Sequence, residues 1–261
     1  MRASRMLGPC VLAGLVLGAV FAAGASASLP EVGRCVPAAK GTGEYIGLHC
    51  IHKSPTHKGE FNWAPGAVKK KFEGSSTTTI TLGTAKLKIL CAAATFNGEW
   101  TGSKTASVTV DLIGCENTAT KHKCQSNPAK EGEIEPPQPL EGELGFITSG
   151  SNPTVGLDLK HSPTIVAFGC GEPLTPPELS ATLEGSVIAQ IKKVGFMVPE
   201  FTLTYKVAGG KQVPESFAGG SPDTLIAKIV KGVESSTEGA TLAGGVLLPN
   251  EEELEIKART V

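Results

Sequence analysis

The chain has 261 residues, with 24 Lys and Arg against 25 Asp and Glu. That balance excludes a strongly basic nucleic-acid binder, and a 40% hydrophobic content with mean hydropathy near zero excludes both wholesale disorder and a polytopic membrane protein. Gly 32 and Pro 18 punctuate the chain densely, while large aromatics are few: 9 Phe, 2 Trp and 2 Tyr.

The N-terminus reads as a targeting segment. Arg2 and Arg5 precede an apolar run from Leu7 to Ala23, and Ala25-Ser26-Ala27 follows. Charged, apolar and small regions in that order predict a signal peptide over 1–27, cleaved after Ala27. The apolar run is shorter than the roughly 20 residues of a membrane span, which disfavours an uncleaved anchor. Cys10 lies inside that run and leaves with it. The remainder, 28–261, is expected to be secreted, with no further membrane span.

Next along the chain, His49, Cys50, His52 and His57 form the one metal-like cluster. Strand alternation would put His49 and His52 on opposite faces, whereas zinc needs converging ligands at about 2 Å. Exposed histidines beside a disulfide is the simpler reading, and no metal site is expected. Trp63 and Trp100 have two readings: exposed, they would stack on sugar rings as ligand-facing aromatics; buried, they would supply a core short of large side chains.

Strand patterns with a period of two then recur. They occupy Thr77–Leu82, Lys86–Cys91, Ser107–Leu112, Val155–Leu159, Glu200–Val207 and Glu252–Lys257. In each, Thr, Lys, Asp or Glu alternates with Val, Ile, Leu or Phe, as a half-buried sheet requires. Gly209-Gly210, Gly219-Gly220 and Gly244-Gly245 break strands. The Pro-rich stretch 127–139 cannot belong to a central strand and is the best candidate for an internal boundary. One segment is ambiguous: Ser221-Pro222-Asp223 could cap a short helix over 222–233, yet Leu225, Ala227 and Ile229 also alternate. With no long amphipathic helix elsewhere, the prediction is an all-β fold. It is an antiparallel β-sandwich or partly closed β-barrel of ten or more strands, forming one domain over 28–261.

Without Cys10 six cysteines remain, an even number that reads as disulfides in a secreted chain. Spacing suggests local staples Cys35–Cys50 and Cys115–Cys124. Cys91 and Cys170, each ending an apolar strand, would then meet across the core and tie the two sides of 127–139 together. On this map, losing Cys91 should cost more than losing Cys124.

Motifs for chemistry are missing. No serine has the flanking glycines of a nucleophile elbow, and no His-Glu-x-x-His occurs. Gly41-Thr42-Gly43 is too short for a phosphate loop. Asp111, Asp158 and Asp223 are the only aspartates, and the first two sit at strand positions expected to face water. Lys69-Lys70-Lys71 and Glu251-Glu252-Glu253 read as solvated charge runs. No catalytic or cofactor-binding residue is expected.

The ordered set Glu31-Val32-Gly33-Arg34-Cys35, Gly98-Glu99-Trp100-Thr101-Gly102, Gly114-Cys115-Glu116, Glu141–Gly145, Val155–Leu159 and Gly209-Gly210-Lys211-Gln212 resembles a much-duplicated family of secreted proteins of unknown function from high-GC soil bacteria. The likeness covers most of 28–261. It implies secretion and a non-catalytic role, and it brings no activity or ligand with it. The expected function is surface recognition or an envelope role, with cell-wall or extracellular glycan or protein as partner. The alternative is a secreted glycan- or peptide-directed hydrolase whose site is assembled across strands.

Overall fold

A computed structural model describes residues 29–66, 70–171 and 177–259. The predicted signal peptide and its cleavage site lie outside these residues. Among them there are nineteen strands, numbered β1–β19 in chain order, and no helix. Every pairing between strands is antiparallel.

Eight strands close on themselves. They are β3 (Lys70–Ser76), β6 (Ala93–Trp100), β7 (Thr105–Ile113), β11 (Leu140–Thr148), β12 (Thr154–Lys160), β14 (Leu179–Lys192), β15 (Val198–Ala208) and β19 (Thr241–Lys257). Each pairs with the next in that order, and β19 pairs back onto β3 through Val246↔Ser76 and Asn250↔Phe72. The sheet is thus a closed barrel rather than a partly closed one. Closure removes the open edges that a sandwich would leave, and side chains fill a barrel of eight strands. Phe72, Trp100 and Phe201 meet edge to face inside it, with ring centroids 5.9 and 6.2 Å apart.

Two long strands outrun the barrel. The first half of β14, Leu179–Gly185, leaves it to join β13 (Val166–Cys170) and β17 (Leu225–Lys231). That sheet continues to β9 (Cys124–Ser126) on one side and β18 (Glu234–Gly239) on the other. The switch is at Gly185, φ 92°, where a Cβ would collide with the Thr224 carbonyl. The start of β19, Thr241–Ala243, likewise pairs with β4 (Ile80–Gly83), which continues through β5 (Lys88–Cys91) to β8 (Glu116–Asn117). Where these sheets cap the barrel, side chains including Ile80, Phe96, Val110, Leu159, Leu225 and Tyr205 enclose an apolar cavity of about 70 Å³. The Tyr205 hydroxyl is buried with no hydrogen-bond partner within the protein. The remaining strands are β1 (Glu31–Pro37), β2 (Phe61–Pro65), β10 (Glu133–Ile134) and β16 (Lys211–Val213).

The structure decides the open segment, adds a short strand in the Pro-rich stretch and changes the disulfide map. The 222–233 segment is strand: Leu225, Ala227 and Ile229 are buried while Val230 is exposed, and a two-residue turn at Gly232-Val233 starts the hairpin to β18. Alternation thus wins over helical spacing because β14 offers an open edge to pair with. The Pro-rich stretch contributes β10, which pairs with β7 and buries Ile134.

The disulfides are Cys35–Cys50, Cys91–Cys115 and Cys124–Cys170. The first is as expected, and the other two overturn the pairs Cys115–Cys124 and Cys91–Cys170. The reason is the ladder. Cys124 stands directly opposite Cys170 in the β9–β13 pairing, and the residues flanking Cys115 bring it beside Cys91 through β5–β8. A bond still spans 127–139, but it starts from Cys124.

Candidate functional site

Along β1 and the end of β19, Glu31 pairs with Lys257, Val32 with Ile256 and Gly33 with Glu255. Alternation sends Val32, Leu254 and Ile256 into the core, all at 0% exposure. Glu31, Glu255 and Lys257 therefore share the opposite face, which a strand of this pattern would normally give to water. Here residues 38–60 cover it. The Cys35–Cys50 bond anchors that loop, and short bridges (Gly43↔Gly59, Tyr45↔Phe61) fold it onto β2. The result is a buried charge cluster: Glu31 is 7%, Glu255 3% and Lys257 7% exposed.

Burying charge is costly unless it is paired, and the cluster is only partly compensated. Trp63 Nε1 donates to Glu31 Oε1 at 2.8 Å. The Lys257 ammonium sits 4.1 Å from the Trp63 ring centroid and 4.5 Å from that of Tyr45, and donates to the Tyr45 hydroxyl at 3.3 Å. Gly33 lets this happen: a Cβ there would lie 2.6 Å from the Trp63 ring. Glu31 Oε2 and Glu255 Oε2 are buried without a partner. Burial pushes the Glu255 carboxyl up to about 6, with Lys257 pulling it back. Burial also lowers the Lys257 ammonium, against the pull of Glu255 and Glu31, and raises the Tyr45 phenol, with nearby acids adding to the effect.

Glu255 and Lys257 also line a surface pocket of about 250 Å³. Ile51, Pro153, Val194 and Phe196 form its apolar wall, with Cys50 and Arg259 alongside. Phe196 is 62% and Ile51 41% exposed, and the same disulfide-tied loop exposes Ile46 and Leu48. Large apolar side chains gathered at a concave surface mark a contact site. Arg259 is exposed at this pocket and donates to Asn152 Oδ1 at 3.0 Å.

The two tryptophans part company. Trp100 is buried between Phe72 and Phe201, so it belongs to the core and not to a ligand surface. Trp63 is half-buried, hydrogen-bonded to Glu31 and covered by the Lys257 ammonium, so it builds the charge cluster instead of offering a free stacking face. His49, His52 and His57 lie exposed on the covering loop, not on a strand, and Cys50 is in its disulfide. Among the described residues no three His, Cys, Asp or Glu side chains converge as a metal site would need.

A second buried acid also departs from the sequence reading. Asp158 is 3% exposed rather than facing water. Residues 214–224 cross the barrel's outside here, with Phe217 packed on Gly145 and the Ala218 amide donating to the Phe146 carbonyl. Burial, and then the charge of Asp223 on that strap, push the Asp158 carboxyl up to about 6, against a hydrogen bond from Ser186.

Glu255, Ile51 and Phe196 were not among the residues singled out in the sequence. The Glu-x-Lys alternation at 255–257 has the form of any solvated strand face, and the cover comes from a loop two hundred residues away. Comparison with known proteins finds no matching family model, no similar curated protein and no similar solved structure.

Proposed function

We propose that this is a secreted, non-enzymatic recognition protein that binds through the pocket beside the loop 38–60. The all-β fold with three disulfides is compatible with an oxidising, extracytoplasmic location, and the leader-like segment 1–27 supplies the export route. The observation that carries the binding role is the convergence of exposed Ile51 and Phe196 on a pocket that Glu255 and Lys257 also line. A sequence selected only for folding gains nothing from large apolar side chains exposed together.

The hydrolase reading is weaker. Of the acids that the fold brings near one another, Asp158 lies beneath the 214–224 strap that carries Asp223, and Glu31 and Glu255 are buried under the loop 38–60, so Asp158, Glu31 and Glu255 are out of reach of a substrate. The reading is tested by incubating the disulfide-intact protein with isolated cell wall, extracellular polysaccharide and secreted protein. Retention should fall at least tenfold in Phe196→Asp and stay unchanged in Val233→Asp, an exposed apolar position on the β17–β18 turn. Equal retention of both variants would overturn it.

A further inference from the structure

Given that the pocket is the recognition site, on which this inference rests, its accessible charge decides what it can hold. Two cations and one acid line it: Lys257, Arg259 and Glu255. Glu255 and Lys257 belong to the buried cluster, at 3% and 7% exposure, with the Lys257 ammonium on the Trp63 and Tyr45 rings and Glu31 opposite it in the ladder. Arg259 alone of the three is exposed. Its guanidinium donates to Asn152 Oδ1 at 3.0 Å, and Asn152 precedes Pro153 of the pocket wall, so this bond holds the guanidinium at the rim. A neutral amide uses one of the five N–H donors and none of the positive charge. Among the described residues no acid pairs with Arg259, nor with Lys192 and Lys193, which are exposed just before the wall residues Val194 and Phe196. Glu44, nearby on the loop, is paired with Lys53 at 3.9 Å. The charge open to a ligand is therefore positive, and its carrier is the side chain whose planar fork matches the two oxygens of a carboxylate.

Size and wall complete the description. A dry cavity of 150 Å³ holds benzene, so about 250 Å³ suits a group of roughly ten non-hydrogen atoms by the same proportion. Ile51, Val194 and Phe196 offer it apolar contact. A bare inorganic anion would meet Arg259 but leave Phe196 and Ile51 uncovered. We infer that the pocket takes an organic carboxylate with an apolar body, its carboxylate on the Arg259 guanidinium and its body against Ile51, Val194 and Phe196. Two sources share this chemistry: a free organic acid, and the C-terminus of a peptide that ends in an apolar residue.

Three probes of nearly equal size separate the terms: phenylacetate, 2-phenylethanol and 2-phenylethylammonium. Calorimetric titration of the disulfide-intact protein at pH 7.5 and low salt should show phenylacetate binding at least fivefold tighter than the alcohol, and the ammonium weakest. Arg259→Gln should bring phenylacetate down to the level of the alcohol and leave the alcohol unchanged, at an unaltered melting temperature because the side chain is exposed. Lys193→Gln should preserve the preference for the acid. N-acetyl-alanyl-phenylalanine distinguishes the sources: binding tighter than phenylacetate, and lost in its C-terminal amide, identifies a peptide C-terminus, and weaker binding identifies a free acid. If acid and alcohol bind equally and Phe196→Ala weakens both, the carboxylate inference fails while the pocket reading stands. A preference for the acid that survives Arg259→Gln, or tightest binding of the ammonium, overturns the inference. If no probe binds, the inference falls, and the pocket reading falls with it only if Phe196→Asp also leaves retention on cell wall, polysaccharide and secreted protein unchanged.

Discussion

Glu31 and Lys257 stand directly opposite each other in the β1–β19 ladder, yet neither side chain makes its shortest polar contact with the other. Glu31 accepts from Trp63, and Lys257 rests on Trp63 and Tyr45. Trp63 thus mediates between acid and base. Trp63→Phe keeps a ring under the ammonium but removes the donor to Glu31. It should destabilise by about 1–3 kcal/mol, the cost of leaving a buried acceptor unsatisfied. Urea denaturation measures this, and a change below 0.5 kcal/mol would mean that Glu31 finds another donor.

Asp158 provides a pH-dependent prediction. Its carboxyl titrates near 6 in the fold, against an ordinary 3.8. The folded state therefore holds the proton more tightly than the unfolded chain, and stability falls as pH rises from about 4 to 6. Above 6 the buried charge costs on the order of 1–3 kcal/mol. Asp158→Asn should raise the melting temperature at pH 7.5, and that advantage should vanish by pH 4. An Asn variant less stable at both pH values would show that the carboxylate is compensated by its neighbours.

Tyr205→Phe removes a buried hydroxyl that has no partner, at the edge of an apolar cavity. It should be neutral or stabilising, because no hydrogen bond is lost and a desolvation cost disappears. In the same core, Phe72→Ala should cost about 3–5 kcal/mol. Loss of more than 1 kcal/mol in Tyr205→Phe would contradict the geometry.

The disulfide pairs close sequence separations of 15, 24 and 46 residues. Chain-entropy arguments give about 3, 3.5 and 4 kcal/mol respectively. Removing both cysteines of a pair should therefore be most harmful for Cys124–Cys170, reversing the order expected from the local-staple map. Equilibrium unfolding of the three double variants checks the ranking. Mass spectrometry of exported protein adds a separate check at the other end of the chain, where Ser28 is the expected first residue.

Alternation made much of the fold legible. Val108 and Val110 in β7, Leu157 and Leu159 in β12, and Phe201, Leu203 and Tyr205 in β15 are buried as their period of two implies. Gly209-Gly210 forms the two-residue turn between β15 and β16, both glycines at positive φ. Closure of the barrel was not legible, because it depends on which distant strand meets β3, and strand periodicity says nothing about partners. The cysteine map failed for the same reason: sequence proximity favours Cys115 with Cys124, while the ladder places Cys124 opposite Cys170. Burial of Glu255 and Asp158 was hidden because each occupies the polar phase of a well-formed alternation. Only the loops laid over those faces, 38–60 and 214–224, take them out of water.

The central claim is that the pocket walled by Ile51 and Phe196 over Glu255 is where this protein binds. Amide chemical-shift mapping during titration with soluble cell-wall and polysaccharide fragments tests it most directly. Shifts should cluster at Ile51, Val194, Gly195, Phe196 and Ala258 and be lost in Phe196→Asp. Shifts centred on another surface, or none at millimolar ligand, would contradict the account.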